Sequence, residues 1–346
     1  MFEAYSGKRV FVTGHTGFKG SWLCEMLLMA EAEVYGYALK PPTKPSLFTQ
    51  LKLAKRIKSH VIGDVRDLKS LTAALRAAKP DYVFHLAAQP LVRESYRQPV
   101  KTFDTNVMGT VNVLEAVRRI VRKCRVVCIT TDKVYENDNK GRAFKESDPL
   151  GGSDPYSASK GACEIAISSY RRSFFSAPDC PVRVASARAG NVIGGGDWAA
   201  DRIVPDAMRA FLCGRTLTVR NRKSTRPWQH VLEPLTGYLT LGLSECDGAF
   251  NFGPDEKTVK TVGQLVTELK RHFPKAKIAD RTDPKAPKEA KLLRLDSAKA
   301  RKSLGWTPRW DFRKTIGATA EWYKAVAAGA DVRLVTDLQI ESHLNS

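Results

Sequence analysis

Tyr156 and Lys160 stand four residues apart in Asp154-Pro155-Tyr156-Ser157-Ala158-Ser159-Lys160. On a helix that offset puts a phenol and an ammonium on one face. A tyrosine ordinarily titrates near pH ~10, and a neighbouring positive charge favours its phenolate, so the pair is suited to take a proton from an alcohol near neutral pH. Proton removal is half of an alcohol oxidation; the other half is a hydride acceptor. A site for one is announced near the N-terminus, where Lys8-Arg9-Val10-Phe11-Val12-Thr13 reads as a buried strand running into Gly14-His15-Thr16-Gly17-Phe18-Lys19-Gly20. Glycines at these positions permit a tight turn and bring backbone amides to a pyrophosphate at the positive end of the following helix, which begins near Ser21.

The elements that must position these groups are legible as an alternation. Short β-branched runs at Val34–Ala38, Lys58–Ile62, Tyr82–Leu86, Arg125–Ile129 and Val182–Ala187 read as strands, and Asp67–Ala78 and Pro99–Lys123 between them carry helical spacing. That alternation predicts an α/β fold, a Rossmann-like doubly wound parallel sheet, with ligands gathered at the carboxyl ends of the strands. Gly14, Asp64, Ala87, Thr131 and Ala189 all fall at or just past such ends. Beyond Arg188 the rhythm breaks into Gly- and Pro-rich loops, which predicts a dinucleotide-binding domain over 1–188 and a smaller, interleaved substrate-binding domain over 189–346, with 228–252 returning to the first. Arg281–Lys288 reads as a surface loop, Ser297–Ser303 as a short helix stopped by Leu304-Gly305-Trp306-Thr307-Pro308, and the tail after Ala330 as a peripheral extension.

Composition narrows the function. The 346 residues are 43% hydrophobic and 27% charged, enough for an ample core. No apolar run approaches the ~18 residues of a membrane span and no basic segment leads into an apolar signal core, so the default expectation is a cytoplasmic protein without membrane partners. Seven cysteines are scattered without a Cys-x-x-Cys pair and the histidines do not cluster, which points to reduced thiols and no metal site. The 56 basic and 36 acidic residues leave a net +20, a field that attracts polyanions. The basic residues are dispersed and no nucleic-acid module accompanies them, so they read as solvated surface, and the same field suits a small pyrophosphate-bearing substrate.

Taken together, Thr13-Gly14-x-x-Gly17-Phe18-x-Gly20, Gly63-Asp64, His85-Leu86-Ala87-Ala88, Asn106-Val107-x-Gly109-Thr110 and Tyr156-x-x-x-Lys160 resemble the extended short-chain dehydrogenases/reductases, the NAD-dependent epimerase/dehydratase family. Within it, Thr130-Thr131-Asp132-Lys133-Val134-Tyr135-Glu136-Asn137, Arg188-Ala189-Gly190-Asn191 through Asp197-Trp198, and Arg226-Pro227-Trp228-Gln229-His230-Val231 look like the branch of CDP-glucose 4,6-dehydratases, over about Lys8 to Trp322.

The resemblance implies C4 oxidation of a nucleotide-sugar, loss of water across C5 and C6, and hydride return to C6, in deoxysugar synthesis for surface polysaccharide. It implies Thr131, Asp132, Lys133, Tyr156 and Lys160 as catalytic residues, with Asp132 as the acid at the C6 oxygen and Lys133 as the base at C5. The cofactor would lie along Gly14, Thr16, Gly17, Phe18, Lys19 and Gly20, with Asp64 and Val65 at the adenine and Leu86, Ala87, Ala88, Asn106, Tyr156 and Lys160 towards the nicotinamide. Gln89, Thr131, Asn191, Arg202 and Arg226 would hold substrate, the arginines through charge-assisted bonds to the pyrophosphate. The resemblance favours NAD; because Tyr37-Ala38-Leu39-Lys40 lacks an acid for the ribose 2′-hydroxyl, NADP stays open. Relatives pair through the helices near Phe103–Val121 and Tyr156–Tyr170, so a homodimer or homotetramer is expected. His15, His85 and Trp228 read as structural. A 4-epimerase or reductase on another nucleotide-sugar, which would not need Asp132-Lys133, and a non-catalytic cofactor-binding sensor are the alternatives.

Overall fold

The computed structural model describes residues 2–120, 123–137, 141–255, 259–281 and 293–346. Seven strands build one sheet: β1 (Arg9–Thr13), β2 (Glu33–Ala38), β3 (Ser59–Ile62), β4 (Tyr82–His85), β5 (Cys124–Ile129), β6 (Val182–Arg188) and β7 (Gly248–Asn251). Their spatial order is β7-β6-β5-β4-β1-β2-β3, and every neighbouring pair is parallel. The sequence places the first six to within a residue or two, because strands covered on both faces are near-continuous apolar runs; all six residues of β5 are buried. The chain leaves β1 for β2 on one side and returns for β4 on the other, so the crevice at the carboxyl ends opens between β1 and β4.

Crossover helices cover the two faces: α1 (Phe18–Met29), α2 (Leu68–Ala78), α3 (Gly109–Ile120) and α4 (Pro155–Phe174). In α2, Asp67 caps the start by accepting from the Ser70 amide at 3.0 Å, and Leu71, Leu75 and Ala78 form the buried stripe. The run 99–123, expected as a single helix, is divided. Pro99–Phe103 is α-helical, Asp104–Met108 forms a wider π turn, and α3 follows. The wide turn carries the Asn106 side chain into the interior, where it takes partners from two other segments.

After β6 the chain makes two excursions. The first holds α5 (Ile203–Leu212) and is closed at its base by the parallel pair Val192–Ile193 and Gln229–His230; α6 (Leu232–Leu243) then leads into β7. In the second, Val259–Thr261 pairs antiparallel with Thr225–Pro227 and Lys277–Asp280 pairs parallel with Thr216–Val219, so the two excursions are zipped together. Residues 282–288 of the expected surface loop lie outside the described residues. The short helix Ala298–Leu304 stops at Gly305, whose φ of 64° is the left-handed conformation that suits glycine there.

The tail differs from expectation. After α7 (Phe312–Ala327), α8 (Val332–Leu344) is not peripheral: Ile340 and His343 are buried, Arg309 donates to the His343 and Leu344 carbonyls, and Trp322 donates to Thr336 at 3.0 Å. All seven cysteines are free thiols, four of them buried. Among the described residues no helix is long and apolar enough to cross a membrane, and no three His, Cys, Asp or Glu side chains group as metal ligands.

Candidate active site

Local sequence fixes α4 at the site. Asp154 accepts from the Ser157 amide at 2.9 Å, Pro155 occupies the first helical position, and the Tyr156 amide, free of an intrahelical partner this early in the helix, donates to Ser95 Oγ at 3.1 Å. Tyr156, Lys160 and Glu164 then repeat every four residues down the buried face. Glu164 is the anchor: its carboxylate accepts from Arg188 (2.8 Å), Ser186 (2.7 Å) and Thr130 (2.5 Å), tying α4 to the ends of β5 and β6. Burial alone would raise this carboxyl, but Arg188 and the two hydroxyls hold it below the usual range. The sequence reading does not single out Glu164 with Arg188; the signal that could have found the first is the continuation of the four-residue spacing from Tyr156 and Lys160 to Glu164.

Just past β5 lies the reactive cluster. Thr131 and Asp132 are buried, and Thr131 shares a hydrogen bond with the Tyr156 phenol. Asp132 accepts from three donors: Thr131 Oγ1 at 3.0 Å, Lys133 Nζ at 3.1 Å and Asn191 Nδ2 at 3.2 Å. Asn191 sits at a φ of 50°, a left-handed position that asparagine tolerates, and this aims its amide at Asp132 rather than outwards. Gly190 makes room for the carboxylate: a Cβ there would lie 2.0 Å from Asp132 Cγ. Lys160 turns its ammonium to the Ile129 carbonyl at 3.2 Å.

The tyrosine behaves otherwise than its sequence neighbourhood suggests. Burial pushes the Tyr156 phenol up to about 12; the Thr131 hydrogen bond and the Arg202 charge pull against this, and Asp132 and Asp154 add to it. Desolvation therefore outweighs the nearby cations, and Tyr156 is a neutral phenol at neutral pH in the ligand-free protein.

The glycine-rich turn forms a cradle. At Gly14 (φ 75°) a Cβ would come 2.7 Å from the Ala87 amide, so this glycine lets the ends of β1 and β4 touch, and Ala87 in turn donates to Thr13 Oγ1 at 3.2 Å. A Cβ at Gly17 would meet only the Gly14 carbonyl, at 3.4 Å; the space beside Gly17 is open, directly at the start of α1, and no side chain caps that helix. An open glycine face before uncapped amides fits a pyrophosphate. Thr16 donates to the Leu39 carbonyl at 2.8 Å, joining the turn to the end of β2. Asp64 is clasped by Arg66 at 2.7 Å, and Val65 packs under Gly109, where a Cβ would lie 2.7 Å from its Cγ2. Leu86, Ala87 and Ala88 follow β4 along the crevice.

Three expected contacts are already used inside the protein. Asn106 accepts from the Gln89 amide (2.8 Å) and donates to Ser159 (2.8 Å), which makes it a brace between the β4 loop and α4. The Gln89 side chain is engaged with Leu91 and Thr102. Arg202 pairs with Asp197 at 3.1 Å while its charge also acts on Tyr156. Arg226, mostly buried, lies on the short strand Thr225–Pro227. His85 is satisfied by Thr13 (2.8 Å) and Thr110 (3.1 Å), His15 bonds His60 (2.7 Å), and buried Trp228 donates to the Lys260 carbonyl (3.0 Å), so each is engaged inside the protein.

Residues 11–319 match the model of the GDP-mannose 4,6 dehydratase family. The chain belongs to that family. It is 46% identical, over 99% of its length and 98% of the relative's, to a CDP-glucose 4,6-dehydratase of Salmonella typhimurium strain LT2. A dTDP-glucose 4,6-dehydratase of Xanthomonas campestris pv. campestris is 27% identical over 76% of this chain and 78% of its own. Two solved structures share the fold: UDP-glucose 4-epimerase of Thermotoga maritima with UDP-glucose (TM-score 0.80, 21% identity, 92% of this chain and 99% of that one) and dTDP-glucose 4,6-dehydratase of Bacillus anthracis with NAD (TM-score 0.78, 22% identity, 94% and 99%).

Proposed function

We propose that this chain is a CDP-glucose 4,6-dehydratase, a hydro-lyase that converts CDP-glucose to CDP-4-dehydro-6-deoxyglucose and water for deoxysugar synthesis. The observation that carries the reading is the buried chain Tyr156–Thr131–Asp132 with half-buried Lys133 at its end, beside the end-to-end likeness to the Salmonella enzyme. An epimerase needs the tyrosine and lysine alone; the added carboxylate and ammonium are what an elimination requires.

The cofactor is NAD, held at the open face of Gly17 by the turn Gly14, Thr16, Gly17, Phe18, Lys19 and Gly20, with Asp64 and Val65 towards the adenine and Leu86, Ala87, Ala88, Asn106 and Lys160 towards the nicotinamide. When bound, NAD supplies the acceptor and later the donor of the hydride. The residues manage the protons. As the C4 hydroxyl gives its proton to Tyr156, Tyr156 passes its own to Thr131 and Thr131 passes its own to Asp132, so a high phenol pKa is no obstacle and no free phenolate forms. The relay ends by loading Asp132 with the proton that the departing C6 oxygen needs. Lys133 holds Asp132 in position and serves the same elimination. Arg202 and Arg226 bind the substrate; Asn191 serves it by holding Asp132, and Gln89, whose side chain is engaged with Leu91 and Thr102, by shaping the loop after β4.

We further assign the protein to the cytoplasm and its product to surface polysaccharide. The exposed apolar side chains Phe103, Met108, Ile165 and Phe174 support pairing of two copies along the helices that carry them, with 1–188 and 189–346 as the two domains of each and 228–252 returning to the first. Mass spectrometry after incubation with CDP-, dTDP-, UDP- and GDP-hexoses, with and without added NAD, tests the reading. Loss of one water from CDP-glucose is expected; turnover without mass change would instead make this an epimerase.

A further inference from the structure

A second cleft, of about 780 Å³, opens on the flank of α4. Its walls are α4, the start of β7 and the short helix Ala298–Leu304, and the buried Glu164–Arg188 pair forms part of its floor. Arg171 lies on α4 roughly 22 Å beyond Tyr156 along the helix axis, and Gly248 opens β7 at the amino end of the sheet, so this cleft is distinct from the crevice at the carboxyl ends. Two cations converge in it. Beyond its chain neighbours, a Cβ at Gly248 (φ 91°) would meet only Lys299 Nζ, at 3.6 Å, and Arg171 Nη1, at 3.9 Å. Glycine has no Cβ to occupy the point between the two nitrogens, and both are close enough for two oxygens of one phosphate to reach. Among the described residues neither Arg171 nor Lys299 forms an ion pair; Lys299 donates to the Ala249 carbonyl at 2.8 Å and lies 4.1 Å from the centroid of the Phe250 ring. Like charges held together without a counter-ion repel, and an anion at that point removes the repulsion.

The rest of the lining sets the class of anion. No residue of the cleft is aromatic, so a nucleobase finds no ring to stack on. Groups that bind hydroxyls are present instead: Ser168 on α4, and the carboxylates of Glu146 and Asp296. Each carboxylate spends one oxygen on a backbone amide, Glu146 on Asn251 and Asp296 on Ala298, both at 2.8 Å, and keeps the other for a hydroxyl. The volume falls within the ~300–1,000 Å³ of small-molecule sites. We propose that this cleft binds a sugar phosphate, the phosphate bridging Arg171 and Lys299 at Gly248 and the sugar hydroxyls meeting Ser168, Glu146 and Asp296. Bound there, the ligand joins α4 to the helix Ala298–Leu304 and stabilises the folded chain by mass action. The assignment does not depend on which reaction the carboxyl-end crevice performs.

Titration calorimetry on the full chain with glucose 1-phosphate, glucose 6-phosphate, fructose 6-phosphate, CMP and inorganic phosphate tests the assignment. At least one sugar phosphate should bind once per chain, at least ~10-fold tighter than inorganic phosphate, because its hydroxyls add contacts to charged groups. Arg171→Gln breaks no ion pair among the described residues, so it should melt with the parent in the absence of ligand. It should nonetheless bind the sugar phosphate at least ~10-fold more weakly, and Lys299→Gln should lose affinity to the same extent. Equal affinity for inorganic phosphate and every sugar phosphate would reduce the cleft to an adventitious anion contact and overturn the proposal. Tighter binding of CMP at this cleft would overturn it too, as would no heat from any sugar phosphate. Binding that survives Arg171→Gln and Lys299→Gln but disappears in Arg226→Gln would place the ligand in the carboxyl-end crevice instead.

Discussion

At the scale of single residues, the site depends on close approach. Asp132 can receive Thr131, Lys133 and Asn191 only because Gly190 has no side chain. Gly190→Ala should displace the carboxylate by more than hydrogen-bond tolerance and lower kcat on the order of 100-fold, with cofactor affinity retained; steady-state kinetics beside a cofactor titration would check it, and an unchanged kcat would show that the Asp132 position is not critical. Tyr156→Phe removes the first member of the proton relay but keeps the ring. It should abolish the near-ultraviolet signal of cofactor reduction on mixing, a loss of ~10²–10⁴ in rate, while substrate still binds. These residue types were legible in the sequence because Tyr-x-x-x-Lys and Thr-Asp-Lys are local patterns. The cradle that Asn191 and Gly190 make for Asp132 was not, since it depends on how the loop after β6 packs against the end of β5, a long-range outcome with no spacing signature.

At the scale of elements, α4 is both the bearer of Tyr156 and Lys160 and the most firmly anchored helix of the site, through the buried Glu164–Arg188 pair. Removing one partner of such a pair leaves an uncompensated buried charge, so Glu164→Ala should destabilise by about 3–5 kcal/mol, and Glu164→Gln by less because the amide still meets Thr130 and Ser186. The pH sign follows from the direction of the shift: the folded carboxyl lies below its unfolded value, so its contribution is full above the ordinary carboxylate range and is lost as pH falls through the folded value. Melting curves of parent and Glu164→Gln should therefore converge on acidification. Parallel curves down to the lowest pH would contradict this. The strands and α4 itself were readable as apolar runs and helical spacing. The π turn at Asp104–Met108 and the packed α8 were not, because the first follows from where Asn106 must reach and the second from partners, Arg309 and Trp322, far off in sequence.

At the scale of the whole molecule, three imidazoles are buried as neutral groups. Burial, aided by His60 at His15 and by Lys160 at His85, lowers both to about 3, and burial with His343 and Lys314 lowers His230 well below its usual value. Unfolded histidines take up protons near pH ~6.5, so between there and about 3 the unfolded chain binds more protons and stability falls as pH falls. With all three counted, the slope reaches ~4 kcal/mol per pH unit. Unfolding free energies from pH 7 to 5 should show this steepening, and His85→Gln should remove about one proton's worth of it; a flat profile in the parent would show these rings are charged when folded.

The zipped excursions have a consequence for ancestry and engineering. The segment between Ile193 and Gln229 leaves and re-enters through one pair of adjacent strands, so its ends are only ~5 Å apart and the sheet below need not change when it does. It is nonetheless not an independent cassette, since Thr216–Val219 and Thr225–Pro227 find their partners in the second excursion. Grafts from a relative would have to carry both stretches as one genetic unit, and a sugar preference recombined by exchanging either alone would arrive with two of its strands unpaired.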